Sequence, residues 1–264
     1  MYSIVIDMPF QTQFNIITNC SILLHELKLK YGRYAIDSYS QCLNIIRAIR
    51  QNDGYIVTFR DFQQRTNFPL SLCGQIILEN LEYDKSICAL HGASLFYKEK
   101  AFIFLAPTTS GKTTLTAYLL NQGMSYITDD CILLDRENFF IHPCTTPLHL
   151  RKRGLEILRQ YNLFQRPLPT IDEVSGKRFI YAPEHCVNSS VSFDKIYFIK
   201  RSETLNDLRI LTTTEKIIAL LKSPITHYPI SGDYIQFISK IAQTKCFELQ
   251  YCEMEYVYEV IHNG

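Results

Sequence analysis

Apolar positions recur along this chain at two spacings, and they predict a change of architecture near its first third. Residues 2–7 read as a short strand. Residues 13–31 carry Phe14, Ile17, Leu23, Leu24 and Leu27 at helical spacing, which predicts one helix. Residues 39–50 predict a second helix, and residues 54–60 are β-rich. Residues 69–80 predict a third helix, with Leu72, Ile76, Ile77 and Leu81 as its apolar stripe. From residue 85 onward, strands alternate with only two or three strong helices. Residues 165–177 are polar, proline-containing and aperiodic, which predicts a mobile loop. The expected division is an N-terminal lobe of residues 1–82 and a larger domain of residues 83–264. No linker rich in Pro, Gly or Ser separates the two.

Composition narrows the function classes. The 264 residues suffice for one large domain with a small companion. With 27 basic and 26 acidic side chains there is no global basic field, so nucleic acid is not an expected partner. No apolar run approaches a membrane span, so no membrane association is expected. Nine Cys are scattered without a Cys-x-x-Cys pair, which argues against structural zinc. The odd count, without a secretory signal, reads as free thiols in a reducing cytoplasm.

Three short segments carry candidate chemistry. The run 101–106 is an apolar strand, Pro107, Thr108, Thr109 and Ser110 are small or turn-forming, and Gly111-Lys112-Thr113-Thr114 opens a helical pattern. Successive N–H groups at such a helix start converge on an anion, which the helix dipole also favours. Lys112 would reach the β- and γ-phosphates, and the Thr113 hydroxyl would ligate Mg²⁺. The usual phosphate-loop pattern begins with Gly, and here that place is Ala106. Ala does not adopt positive φ cheaply, so this loop must enter with negative φ. The bland alternative is an ordinary strand-to-helix turn. Downstream, Asp129-Asp130 lies between two apolar strands, suited to metal or general-base work near a γ-phosphate. Adjacent side chains of an extended segment point to opposite faces, so the two acids should do different jobs. A simple polar turn is the alternative. Upstream, His91 stands alone between apolar runs, where a structural role is also open.

His91-Gly92, then the phosphate loop, then Asp129-Asp130 resembles the layout of the HPr kinase/phosphorylase catalytic domain. The similarity covers residues 85–160 by motif and continues more loosely to the C-terminus. It implies an α/β fold: a phosphate-loop core of mixed sheet and helices, with a small α+β N-terminal lobe. It also implies ATP and Mg²⁺ as cofactors. His91 resembles the active-site His that assists proton transfer and stabilises phosphate charge. Lys112 resembles the phosphate-loop Lys, and Thr113 the metal-binding hydroxyl. Asp129 resembles the Asp that takes the proton from a serine hydroxyl, and Asp130 would support the metal with Thr113.

The departures shift the expected substrate. Where the bifunctional enzymes carry a Glu-x-Arg-Gly-Leu-Gly segment with a second metal ligand, this chain has Arg151 at the Glu position. Arg cannot ligate a metal but binds phosphate or carboxylate bidentately. The late Gly-Arg-Asn segment of those enzymes is not evident. Pro147-Leu-His-Leu-Arg151, the strand 191–201 and the C-terminal segment 246–262 resemble the smaller lasso-peptide kinases, which phosphorylate the C-terminal Ser of a precursor peptide. The resemblance therefore implies a cytoplasmic ATP-dependent serine kinase with a precursor peptide as partner, the N-terminal lobe serving packing or peptide binding. Alternatives are a kinase of HPr or of a small metabolite such as serine, and a non-catalytic ATP-sensing module. A homo-oligomer is compatible with the sequence, which does not set the assembly state. Two basic clusters, Arg151-Lys152-Arg153 and Lys177-Arg178, read either as clamps for an anion or as solvated surface charge.

Overall fold

The computed structural model describes residues 1–37, 44–81, 86–107, 109–223 and 232–264. They form two compact units, one of Met1–Asp84 with Leu168–Ala182, the other of Lys85–Pro167 with Pro183–Gly264. The division falls between Asp84 and Lys85, and a segment from mid-chain also belongs to the first unit.

The first unit contains β1 (Tyr2–Met8), β2 (Thr12–Thr18), α1 (Ser21–Tyr31), β3 (Asn44–Gln51), β4 (Gly54–Phe59), β5 (Phe62–Thr66) and α2 (Pro69–Leu81). Its sheet runs β1-β2-β3-β4-β5. β2 and β3 are parallel, joined across α1, and the other neighbours are antiparallel. The helix expected over 13–31 is therefore a strand followed by a helix. Phe14, Ile16 and Thr18 are fully buried at a period of two, which outcompetes the helical spacing of Phe14 and Ile17. The helix expected over 39–50 is overturned in the same way: residues 44–51 are β3, with Ile46 and Ala48 fully buried. Residues 39–43 lie outside the described residues. Leu23, Leu27 and Tyr31 of α1, with Cys73, Ile76 and Ile77 of α2, supply the helical share of this core.

In the second unit come β6 (Ile87–Leu90), β7 (Gly92–Tyr97), β8 (Lys100–Leu105), α3 (Lys112–Asn121), β9 (Ser125–Thr128), β10 (Ile132–Asp135), β11 (Phe140–His142), β12 (Leu148–Leu150) and α4 (Lys152–Gln160). The chain then contributes β13 (Thr170–Glu173) and β14 (Gly176–Tyr181) to the first unit. The mobile loop expected over 165–177 is thus largely an antiparallel hairpin. Ile171 is buried, and Arg178 reaches Glu173 at 3.3 Å, which anchors a segment whose composition reads as a loop. The second unit resumes with β15 (Val191–Arg201), β16 (Asp207–Ile210), α5 (Thr213–Leu221), α6 (Gly232–Ile241), β17 (Lys245–Tyr251) and α7 (Met254–Asn263). Five helices among the described residues of this unit exceed the two or three expected. α4 and α6 are short, and their stripes are too brief to stand out.

The architecture is mixed α/β. β8, β15 and β17 run parallel through the centre of a nine-stranded sheet. Ala101, Ile103 and Leu105 of β8 face a cluster with Leu220 of α5 and with Phe237, Ile238 and Ile241 of α6. Phe102 and Phe104 alternate to the opposite side. There Phe104 stacks on Tyr197 at 5.8 Å between ring centroids, and Tyr197 on Phe247 at 5.6 Å. Such pairs add about 0.5–1.5 kcal/mol each beyond burial. β8 is thereby fixed from both sides, and it leads into the candidate phosphate loop. No helix among the described residues is long and apolar enough to cross a membrane.

Candidate active site

Strand pairing alone brings the three motifs together. Leu90 opposes Ile132, and two residues on, Gly92 opposes Leu105 and Ser94 opposes Thr128. The chain therefore turns from β6 to β7 at His91 beside the turn from β9 to β10 at Asp129-Asp130, and both lie at the exit of β8. Gly92 permits this closeness. A Cβ there would stand 2.7 Å from the Phe104 carbonyl oxygen and 2.6 Å from a Leu105 methyl.

The loop from β8 to α3 enters, as expected, without a left-handed residue at Ala106; its left-handed residues are Thr109 at φ 71° and Gly111 at φ 91°. Thr108 lies outside the described residues. Ser110 folds back, its hydroxyl donating to the Pro107 carbonyl at 2.7 Å. Gly111 starts α3, and no side chain caps that start. An uncapped helix N-terminus keeps its amide donors for an anion. Thr114 meets the start of α4. A Cβ at Gly154 would fall 2.5 Å from the Thr114 hydroxyl, so only glycine lets the two helix starts approach this closely. Arg151 immediately precedes α4 and is exposed.

Lys112 is 5% exposed, and its ammonium bridges the corner. Nζ donates to the Ala106 carbonyl at 2.8 Å and lies 3.2 Å from His91 Nε2. His91 Nδ1 lies 3.1 Å from the Asp130 carbonyl oxygen. One tautomer satisfies both contacts: neutral His91 accepts from Lys112 through Nε2 and donates from Nδ1–H to Asp130. Burial, then the Lys112 charge, hold the His91 pKa below its ordinary value. Burial lowers that of Lys112 as well, against the pull of Asp129 and Asp130. The His91 backbone N–H donates to the Ser223 carbonyl, just beyond α5, at 2.7 Å.

The two acids differ sharply. Asp129 is 4% exposed, and neither carboxylate oxygen has a hydrogen-bond partner. The Thr113 hydroxyl lies near enough to ease its charge, though without a hydrogen bond of normal geometry. Burial first, then Asp130, push the Asp129 pKa up to about 8. Asp130 is exposed, in the left-handed conformation at φ 71° that Asp tolerates better than most residues. Thr113 thus neighbours Asp129, whereas the sequence paired it with Asp130 for the metal. An orphaned buried carboxylate beside a hydroxyl is a donor set that fits Mg²⁺. No group of three or more His, Cys, Asp or Glu among the described residues could hold a metal unaided. Mg²⁺ commonly takes one or two protein ligands and completes its shell with phosphate and water.

A cavity of about 900 Å³ opens beside the loop's entry, lined at that end by His91, Ala106 and Pro107. Much of its remaining lining comes from β16, α5 and β17, including Arg209, Glu215 and Glu248, which the sequence reading did not single out. The one readable signal there was Thr212-x-x-Glu215, a capping box that starts α5.

No family model matches this chain, and no curated protein matches it. Among solved structures it is similar to the Hpr(Ser) kinase/phosphatase from Coxiella burnetii. That similarity has 11% sequence identity, covers 66% of this chain and 88% of that chain, and has a TM-score of 0.32. At that score the likeness carries no functional argument, which must rest on the corner itself.

Proposed function

We propose that this chain is an ATP-dependent serine kinase acting on a peptide, with the C-terminal Ser of a lasso precursor as acceptor. The observation that carries the reading is the convergence of His91, Lys112 and the Asp129-Asp130 pair at an uncapped helix start. Phosphoryl transfer needs mainly positioning and charge stabilisation, and these residues are arranged to supply both. Lys112 and the amides of the α3 start would hold the triphosphate. Incoming phosphate would draw the Lys112 ammonium from the Ala106 carbonyl. Neutral His91 would then be left next to the transferring group, able to take up positive charge as negative charge develops.

Thr113 and Asp129 would hold Mg²⁺, which would neutralise phosphate charge. Asp130, exposed beside His91, would take the hydroxyl proton. This exchanges the roles that the resemblance gave the two acids, because the buried one lies beside Thr113.

Incubation with Mg-ATP and peptides ending in Ser should add phosphate mass to that Ser. Transfer to HPr or to free serine but to no peptide would move the assignment to those acceptors. Nucleotide binding without transfer to any acceptor would favour the sensing module. Asp130→Asn should abolish transfer while leaving the Mg²⁺ requirement for ATP binding intact, and Asp129→Asn should weaken that requirement. The reverse pattern would restore the original division.

A further inference from the structure

The cavity beside the loop's entry is placed for the acceptor rather than the nucleotide. Loop amides cradle the α- and β-phosphates, and the loop Lys reaches toward the γ-phosphate. The cavity is lined by His91, which touches Lys112, and by Ala106 and Pro107; its lining does not include Gly111, Thr113 or Thr114 at the helix start. It therefore borders the transferring end of a bound triphosphate.

Its size and chemistry narrow the ligand. About 900 Å³ lies near the top of the range for small-ligand pockets, roughly 300–1,000 Å³. That exceeds the needs of one amino acid. Phe198, Leu211 and Ile218 give it an apolar lining. Arg209 and Lys222 are its cations, with Glu215 and Glu248 opposing them. Arg209 reaches Glu215 at 2.7 Å and Glu248 at a looser 3.5 Å, which leaves donors of its five-donor fork to spare. Arg151, the candidate carboxylate reader in the sequence, does not line this cavity.

We propose that this cavity is the acceptor site and takes the free C-terminal end of a peptide. Apolar side chains of the peptide lie on Phe198, Leu211 and Ile218, and its terminal carboxylate is read by Arg209 and Lys222. The assignment rests on the kinase reading for its meaning, but it is tested without turnover.

The probe is a short fluorescein-labelled peptide ending in Ser, as free acid and as C-terminal amide. Its binding is followed by anisotropy, with ATP affinity measured in parallel. The free acid should bind wild type, and the amide should bind about tenfold more weakly, the size of one lost charge-assisted contact. Arg209→Gln should erase most of that difference. Lys222→Gln should erase part of it, and that position lies outside the Thr212–Glu215 cap. Ile218→Trp, at a half-exposed position, should fill the cavity and weaken peptide binding at least tenfold with ATP affinity unchanged. Loss of ATP affinity with peptide binding unaltered would show that the cavity holds the nucleoside and overturn the proposal. Equal binding of acid and amide would overturn the carboxylate assignment. If the peptide binds as described and no phosphate is transferred, the kinase reading fails and the site stands. If phosphate is transferred while Ile218→Trp changes neither binding nor KM for the peptide, the site fails and the kinase reading stands.

Discussion

Arg178 of the first unit and Asp129 of the second are buried to about the same degree, and the two are treated in opposite ways. Arg178 of the first unit is 5% exposed. It lies 3.3 Å from Glu173, donates to the Ser175 carbonyl at 3.3 Å and touches the Ser175 hydroxyl. Asp129 of the second unit is 4% exposed, and neither of its oxygens is bonded. Burial of an unpaired charge costs several kcal/mol, and Asp129 avoids that cost by holding its proton, with its pKa raised to about 8. The satisfied charge is part of the architecture. The unsatisfied one is open to the ligand proposed above.

The widest separation of the two sites should come from Asp129→Asn and Glu173→Gln measured side by side. Asp129→Asn should lower transfer by at least about tenfold through weakened Mg²⁺ binding, a loss that excess Mg²⁺ partly restores. It should leave the ligand-free protein about as stable near neutral pH, because the buried carboxyl it replaces largely holds its proton there. Glu173→Gln should do the opposite. It leaves Arg178 without its carboxylate, lowering unfolding free energy by on the order of 3 kcal/mol in urea titration, with kcat unchanged at equal folded fraction. An Asp129→Asn protein that is active but less stable would break the comparison.

The pH dependence sharpens it further. The folded pKa of Asp129 is raised to about 8 from an ordinary 3.8. The folded state therefore holds its proton more tightly than the unfolded state. The associated stability is complete below about pH 4 and is lost as pH rises through about 8. Ligand-free wild type should show a Tm that falls from pH 5 to pH 9, and this component of the slope should be missing in Asp129→Asn. Identical slopes would mean that Asp129 is charged throughout.

Thr109→Gly should have the smallest effect. A β-branched residue at φ 71° carries strain of about 1–2 kcal/mol, which glycine relieves. The variant should gain about 1 kcal/mol of stability, less the entropy glycine costs the folded chain. Its Kd for ATP should rise if the strained loop is preorganised for phosphate, a weakening visible in titration calorimetry.

The corner was legible in the sequence because its parts are contiguous motifs, and strand pairing did the rest. Lys112 and Thr113 follow directly from the loop pattern, and His91 and Asp130 meet because β6–β7 and β9–β10 turn together. The first unit was less legible. Residues 13–18 and 44–50 contain apolar residues at spacings that fit either a helix or a strand over so few positions. Only pairing with β1 and β4 selects the period of two. The hairpin of β13 and β14 was hidden because its anchors, Ile171 and the Glu173–Arg178 pair, lie in a polar sequence. Arg209, Ile218 and Glu248 belong to three separate elements, and no local pattern announces that they share a cavity.

One backbone hydrogen bond gives the second unit a further property. The His91 N–H to Ser223 carbonyl contact, at 2.7 Å, ties the residue that touches Lys112 to the chain just past α5, the helix that lines the cavity. The proposed acceptor site on α5 is thereby joined through one backbone contact to the residue that touches Lys112. Any coupling carried by that link would be reciprocal, each ligand altering the other's affinity by the same factor. In thermodynamic terms such a link would act as an interlock. A filled acceptor site would ready the nucleotide, and an empty one would leave the ammonium resting on the Ala106 carbonyl, limiting loss of phosphate to water.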